Sequence, residues 1–221
     1  MRILVAGAHG QVGRRLGRLL ATRGDVVLGL VRNPAHADDL RSAGVEPVVL
    51  DMEQSGLDEV GLALDGADAV VFSAGAGPGS ADDRKDSVDR AGVALLADAC
   101  GLAGVDRFLL VSSAGVEQVR DGSTPAGVDP SFVTYLRAKL AAEQDLVARQ
   151  LAWTVLRPGR LTDEAGTGRV QLGPHLRRAD VPRDDVAAVL AALLQAPATA
   201  RRVLELTGGD VPVAEAVAAL R

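Results

Sequence analysis

Residues 2–6 (RILVA), apolar after the first, lead straight into Gly7-Ala8-His9-Gly10-Gln11-Val12-Gly13. No other feature constrains the fold so tightly. The run is too short for a helix and shows no polar alternation, so it reads as a strand buried on both faces. Glycines spaced GxxGxxG let the backbone turn sharply and come close to a bound pyrophosphate. The phosphate then rests on the N-terminus of the next helix, where unpaired N–H groups point outward. Val12, Leu16, Leu19 and Leu20 follow at helical spacing within 10–22. Three glycines elsewhere would be an ordinary turn. Between a first strand and a first helix they indicate dinucleotide binding.

Short β-rich runs continue to alternate with helical stretches. Strands are predicted over 26–32, 45–50, 69–73, 107–112 and 153–156. Helices are predicted over 35–43, 54–64, 83–103 and 131–150, and Pro34 sits at a helix start, where proline is tolerated. Continuously apolar strands imply a parallel sheet covered on both sides. Six β-α units in series give an α/β, doubly wound Rossmann fold. The expectation is one domain, with a core over 1–158 and a small C-terminal elaboration over 159–221. In that elaboration a glycine-rich loop over 159–173 precedes a helix at 183–195, a strand at 202–206 and a helix at 213–220. The polar loop at 117–130 is long enough to suggest a functional role.

Composition removes several classes of function. At 221 residues and 48% hydrophobic, the chain can bury a full core. It contains no uninterrupted apolar run of membrane-spanning length and no export-type leader, so no membrane partner is expected. One cysteine, Cys100, and three scattered histidines, His9, His36 and His175, offer neither a disulfide nor a metal cluster. These features together point to the cytoplasm. A net charge of −5, no basic block and few aromatics argue against nucleic acid. His9 then reads as a solvated loop residue near phosphate. Among 24 basic residues only Lys85 and Lys139 are lysines, which draws attention to both positions.

The end of the second strand bears on cofactor choice. An NAD site expects an acid about 20 residues past the glycines, on the ribose 2′-OH. Here the strand ends Leu30-Val31-Arg32-Asn33, and Asp25 precedes it. Arg32 is positioned to clamp a 2′-phosphate, with Arg14 as a second cation, so NADP(H) is expected over NAD(H). Asp51 follows the third strand, where adenine would lie. Ser73–Gly77 (SAGAG) follows the fourth and leaves room for the cofactor.

Tyr135 is the only tyrosine, and Lys139 lies one helical turn beyond it, on the same face. An ammonium beside a phenol favours the phenolate, and a tyrosine so tuned can pass a proton to or from a substrate oxygen. Ser112 and Ser113 end the fifth strand nearby, where either could hydrogen-bond that oxygen. Lys85 and Asp89 open the fourth helix at the sheet's carboxyl edge, and a surface ion pair is the plain reading of their spacing.

These residues resemble the atypical short-chain dehydrogenase/reductase superfamily, in its NAD(P)H-binding, NmrA-like branch, over essentially the whole chain. The matching pieces are GAHGQVG at 7–13, VRNP at 31–34, Asp51, SAGAG at 73–77 and Lys85 with Asp89. They continue with VSSAG at 111–115, YLRAK at 135–139, LRPGRL at 156–161, DEAGTG at 163–168 and RDDVA at 183–187. Small bacterial proteins described as sugar epimerases or NAD(P)-binding oxidoreductases are similar.

By position, the resemblance implies that Gly7, Gly10 and Gly13, with Ala8, His9, Gln11 and Val12, hold the pyrophosphate. Arg32 and Asn33 would take the 2′-phosphate, and Asp51 and Met52 the adenine. Ser73, Ala74, Gly75 and Lys85 would line the cofactor's path. Lys139 would bind the nicotinamide ribose, and Pro158 and Gly159 would pack beside the ring. Branch members often lose the tyrosine or lysine; retention of both favours an enzyme. The expected function is NADP(H)-dependent hydride transfer with a small carbonyl or alcohol. A non-catalytic NAD(P)H sensor and a sugar-nucleotide epimerase or dehydratase are the alternatives. The short C-terminal part favours a small-molecule substrate over a nucleotide sugar, and an exposed apolar helix pair is compatible with a homodimer.

Overall fold

The computed structural model describes residues 1–75 and 86–220. The first six strands are β1 (Arg2–Ala6), β2 (Val26–Val31), β3 (Glu46–Val49), β4 (Ala69–Phe72), β5 (Arg107–Val111) and β6 (Ala152–Pro158). All pair in parallel, in the order β3-β2-β1-β4-β5-β6. β1 therefore pairs with β2 on one side and β4 on the other. The winding reverses there, and such a switch point opens a crevice at the strands' carboxyl ends. The glycine turn emerges from β1 into this crevice.

Side chains alternate across the sheet, as strand geometry requires. Ile3, Val5, Leu109 and Val111 share one core with Leu16 and Leu20 of α1 (Gln11–Thr22) and with Val186 and Leu190 of α6 (Arg183–Leu194). Leu4, Val70, Phe72 and Leu110 share the other with Leu96 and Cys100 of α4 (Gly92–Ala103) and with Leu146 of α5 (Pro130–Val147). The remaining helices are α2 (Ala37–Ser42), α3 (Leu57–Ala63) and α7 (Val213–Ala218). No described helix is long and apolar enough to cross a membrane.

Several expected boundaries change. The second helix splits into a 3-10 turn, Pro34–His36, and α2, because the Asn33 side chain accepts from Ala35 N and caps the turn. The third helix begins only at Leu57, after Gly56. Within the expected long helix at 83–103, Asp86–Ala91 forms a π-helical turn ahead of α4, and 83–85 lie outside the described residues. Asp129 caps α5 by accepting from Ser131 N and Phe132 N, and Pro130 occupies its first turn.

The largest correction concerns 159–173, which is not a plain loop. β7 (Arg160–Thr162) pairs in parallel with β9 (Asp180–Pro182) in a small second sheet. β8 (Arg169–Gly173) joins the main sheet antiparallel to β10 (Arg202–Gly208), and β10 lies parallel to β6. β11 (Val211–Pro212) closes that edge against β8.

Arg107, one of two buried arginines among the described residues, ties this C-terminal part to the core. Arg107 donates to Ala152 O, Thr154 Oγ1, Leu193 O and Thr199 Oγ1, all within 3.0 Å. These acceptors are neutral, and burial pushes Arg107 down to about 10. Arg157 instead meets carboxylates, at 2.6 Å from Glu117 and by a forked contact with Glu143.

Candidate active site

Gly7 adopts φ +80°, a conformation that side chains disfavour, and its N–H-bonded turn closes with Gly10 N donating to Gly7 O at 2.9 Å. A Cβ on Gly7 would stand 2.6 Å from the Ala74 backbone. One on Gly13 would stand 2.2 Å from Gly7 O. Backbone thus packs against backbone, and the loop folds flat over the end of β1. The first turn of α1 carries no acidic residue, so its outward N–H groups remain favourable for an anion.

In front of this turn lies a cavity of about 390 Å³. Gly7, His9 and Gly10 form its floor. Arg32 and Asn33 come from the end of β2, Asp51 and Met52 from the end of β3, and Ala74 and Gly75 from the end of β4. These expected cofactor residues therefore converge. Others do not line the cavity. Ala8 and Val12 are buried in the core beneath α1, and Gly13 supports the turn from behind. Gln11 is exposed and accepts from Arg15, and the Ser73 hydroxyl donates to Ala6 O. Lys85, Ala76 and Gly77 lie outside the described residues.

Glu53, His36 and Val88 are among the lining residues that were not anticipated. Glu53 stands 3.0 Å from the Arg32 guanidinium. The expectation of no carboxylate at this corner is thus corrected, because the next crossover supplies one. His36 stacks on His9, with ring centroids 3.7 Å apart and planes 8° from parallel. His9 Nε2 lies 2.8 Å from Asp39, so His9 is a partnered residue and not a merely solvated one. Val88, from the π-helical turn, completes the apolar wall.

At the other end of the cleft, Lys139 is 4% exposed and Asp89 is fully buried. Lys139 Nζ lies 2.8 Å from Asp89 Oδ1 and donates to Val111 O at 3.2 Å and Ala74 O at 3.3 Å. The surface reading of Asp89 is overturned: the turn at 86–91 points its carboxylate inward. Burial, the largest influence on Lys139, pushes its ammonium down. Tyr135, Asp89 and Glu143 outweigh it, and the net shift is upward.

Tyr135 is half-buried on α5, and its ring centroid is 5.8 Å from Lys139 Nζ. It stacks with Phe132 and packs against a small cluster containing Val116 and Leu136. The two serines separate, as consecutive residues leaving a strand do. Ser112 Oγ is buried without a hydrogen-bond partner among the described residues. Ser113 is half-buried, donates to Ala114 O, and lines a second cavity of about 230 Å³ with Gly159, Arg160, Arg178 and Asp180. Pro158 is buried at the end of β6, and Gly159 approaches the chain so closely that a Cβ would meet Ala179 O.

The larger cavity, floored by a backbone-only turn at the sheet's switch point, fits the adenosine and pyrophosphate of a dinucleotide. Its neighbour, at the ends of β5 and β6, is the cavity lined by Ser113 and Gly159. Fold and cleft together define a Rossmann-type nucleotide-binding protein. The chain belongs to the NAD(P)H-binding family, whose profile matches residues 7–197.

Over 218 residues it is 36% identical to the uncharacterized sugar epimerase YhfK of Bacillus subtilis, covering 98% of this chain and 99% of that one. A solved structure from Bacillus halodurans, provisionally assigned as an NAD-dependent epimerase/dehydratase, matches with a TM-score of 0.90 and 34% identity over 99% of each chain. The oxidoreductase ylbE from Lactococcus lactis matches with a TM-score of 0.86 and 26% identity, covering all of this chain and 96% of that one. The chain is thus similar to oxidoreductase-like and epimerase-like NAD(P)-binding proteins.

Proposed function

We propose that the protein is an NADP(H)-dependent oxidoreductase acting on a small carbonyl or alcohol. The observation that carries this reading is the Tyr135–Lys139 pair, one turn apart on α5, with Lys139 held as a buried cation by Asp89 and bonded to Ala74 O beside the larger cavity. Gly7 and Gly10 would hold the pyrophosphate, Arg32 the 2′-phosphate, and Asp51 and Met52 the adenine side. When bound, the nicotinamide would give or take the hydride.

The protein's own part is proton transfer and positioning. In reduction the Tyr135 hydroxyl gives its proton to the substrate oxygen, and the Lys139 charge favours the phenolate left behind. Lys139 has three N–H donors, and three acceptors already surround it. It therefore acts on Tyr135 through its charge, and a ribose contact would exchange one of the backbone carbonyls. Of the two serines, Ser113 is the one placed to orient the substrate oxygen, because it lines the cavity.

Tyr135→Phe is expected to lower turnover by about 10²–10⁴-fold while leaving NADPH affinity within about twofold. Stopped-flow reduction of a carbonyl panel and nicotinamide fluorescence measure the two. Unaltered turnover would remove the proton-transfer role. The epimerase reading draws on the name of YhfK, but a cavity of about 230 Å³ is small for a nucleotide sugar.

A further inference from the structure

The adenosine end of the cleft holds an arrangement that the glycine turn and Arg32 do not explain. His9 and His36, two of the chain's three histidines, lie face to face at 3.7 Å and line the same cavity as Arg32. Resting on the cofactor reading above, we propose that this stacked pair, together with Arg32, forms the seat for the 2′-phosphate and makes the preference for NADP(H) over NAD(H) depend on proton uptake by the imidazoles.

Arg32, offered by the end of β2, is already met by Glu53 at 3.0 Å. Around the pair stand Asp38, Asp39 and Arg41 of α2, Arg14 of α1, and Asp51 and Glu53 after β3. Arg41 is taken up by Asp38 at 2.7 Å. With both imidazoles neutral, these three cations face four carboxylates among the described residues. That balance does not favour a phosphate dianion. One proton on the pair cancels the deficit, and a second makes the corner positive.

Geometry says which atoms would respond. The His9 hydrogen bond, the largest influence on Asp39, holds that carboxyl below its ordinary value, so it is a carboxylate and accepts only. His9 Nε2 is therefore the donor at 2.8 Å, and its tautomer is fixed. In that tautomer Nδ1 accepts; once protonated it donates. A neutral His9 thus offers a phosphate a lone pair, and a charged one offers a hydrogen bond. His36 lies against the same ring face, so charging both rings is disfavoured until an anion arrives. A bound 2′-phosphate removes that repulsion, and binding draws protons onto the pair. NAD(H) lacks the anion and gains nothing.

The test uses two nucleotides that differ only in the phosphate in question: adenosine 2′,5′-bisphosphate and adenosine 5′-monophosphate. Their affinities for the full chain are measured by calorimetry from pH 6.5 to pH 8, at constant ionic strength. With proton uptake by the pair, the bisphosphate preference should be at least about fivefold greater at pH 6.5 than at pH 8. His36→Gln and, separately, His9→Gln should flatten that slope, and a preference due to Arg32 should remain. A wild-type preference that does not change with pH overturns the inference, as does an unchanged slope in both variants. Each of those results leaves the cofactor reading standing. Failure of either nucleotide to bind at any pH would remove the cofactor reading, and this inference with it.

Discussion

Replacing Asp89 by asparagine isolates the electrostatics of the buried Lys139 pair. The change keeps shape and an acceptor oxygen but removes the one carboxylate 2.8 Å from Lys139 Nζ. The ammonium then sits 4% exposed with amide and backbone oxygens as its nearest partners. Removing one member of a buried ion pair typically costs about 3–5 kcal/mol. The retained acceptors offset part of that, so a loss of about 2–4 kcal/mol is expected near neutral pH.

The sign of its pH dependence follows from the same groups. In the native protein Lys139 is raised: burial pulls it down but Tyr135, Asp89 and Glu143 prevail. The stability linked to that shift is present below the ordinary lysine value and is lost as pH rises through the folded one. In Asp89→Asn the carboxylate's charge is lost, burial weighs more, and the folded lysine lies below its native value, so the variant loses less stability than the native protein as pH rises. The gap between the proteins should therefore be largest near pH 7 and narrow toward pH 10. Urea unfolding at several pH values reads it directly. A loss under about 0.5 kcal/mol near pH 7, within the range of an ordinary surface change, would refute the reasoning. A gap that widens with pH would refute it as well.

Gly13→Ala places a Cβ 2.2 Å from Gly7 O and should weaken NADPH binding by at least about tenfold, whereas Gly61→Ala, with open space around it, should not. Titration by nicotinamide fluorescence compares them, and equal affinities would mean the turn does not shape the site. Arg107→Met leaves four buried oxygens without their donor and should destabilise the fold by about 2–4 kcal/mol in denaturant unfolding. Near-neutral behaviour would show that those contacts contribute nothing net. The Cys100 thiol, fully buried and pushed up to about 12 by that burial, should resist a disulfide reagent at pH 8 and react once urea unfolds the chain. Rapid labelling of the native protein would show that α4 opens locally.

What could be read from the sequence is what is encoded within a few residues. β1, the glycine turn and α1 are consecutive, and their apolar spacing and glycines specify them without help from afar. The convergence of Arg32, Asp51 and Ala74 follows because a parallel sheet brings all its carboxyl ends to one edge. Asp89 shows the opposite case. Its sequence spacing from Lys85 suggested a surface pair, but a π-helical turn rotates it inward to a lysine on another helix. Glu53 was missed for a related reason, since its nearness to Arg32 depends on how the third crossover packs beside the second. β7 and β9 are three residues each, too short to carry a period, and they form because each supplies the other's backbone partners. The two serines could be located but not told apart. Alternation puts them on different sides, and only the fold reveals which side is the cavity.

The two ends of the cleft handle charge in opposite ways, and burial is the reason. At the adenosine end the groups are partly solvated and nearly cancel, so one proton removes the net charge of the corner and a second makes it positive. Ligand choice there can respond to conditions. At the catalytic edge a single cation is enclosed with its carboxylate, and the low local dielectric makes either charge alone expensive. Lys139 therefore keeps its proton across the neutral range, and Tyr135 experiences a constant field whatever the pH outside. On the proposed reading, a site built this way would alter which dinucleotide it prefers without altering the proposed acid–base step. Arg32 and the histidines should accordingly govern affinity, and Asp89, Lys139 and Tyr135 the rate. A variant at either end that moved both quantities together would show that the ends are coupled through the sheet.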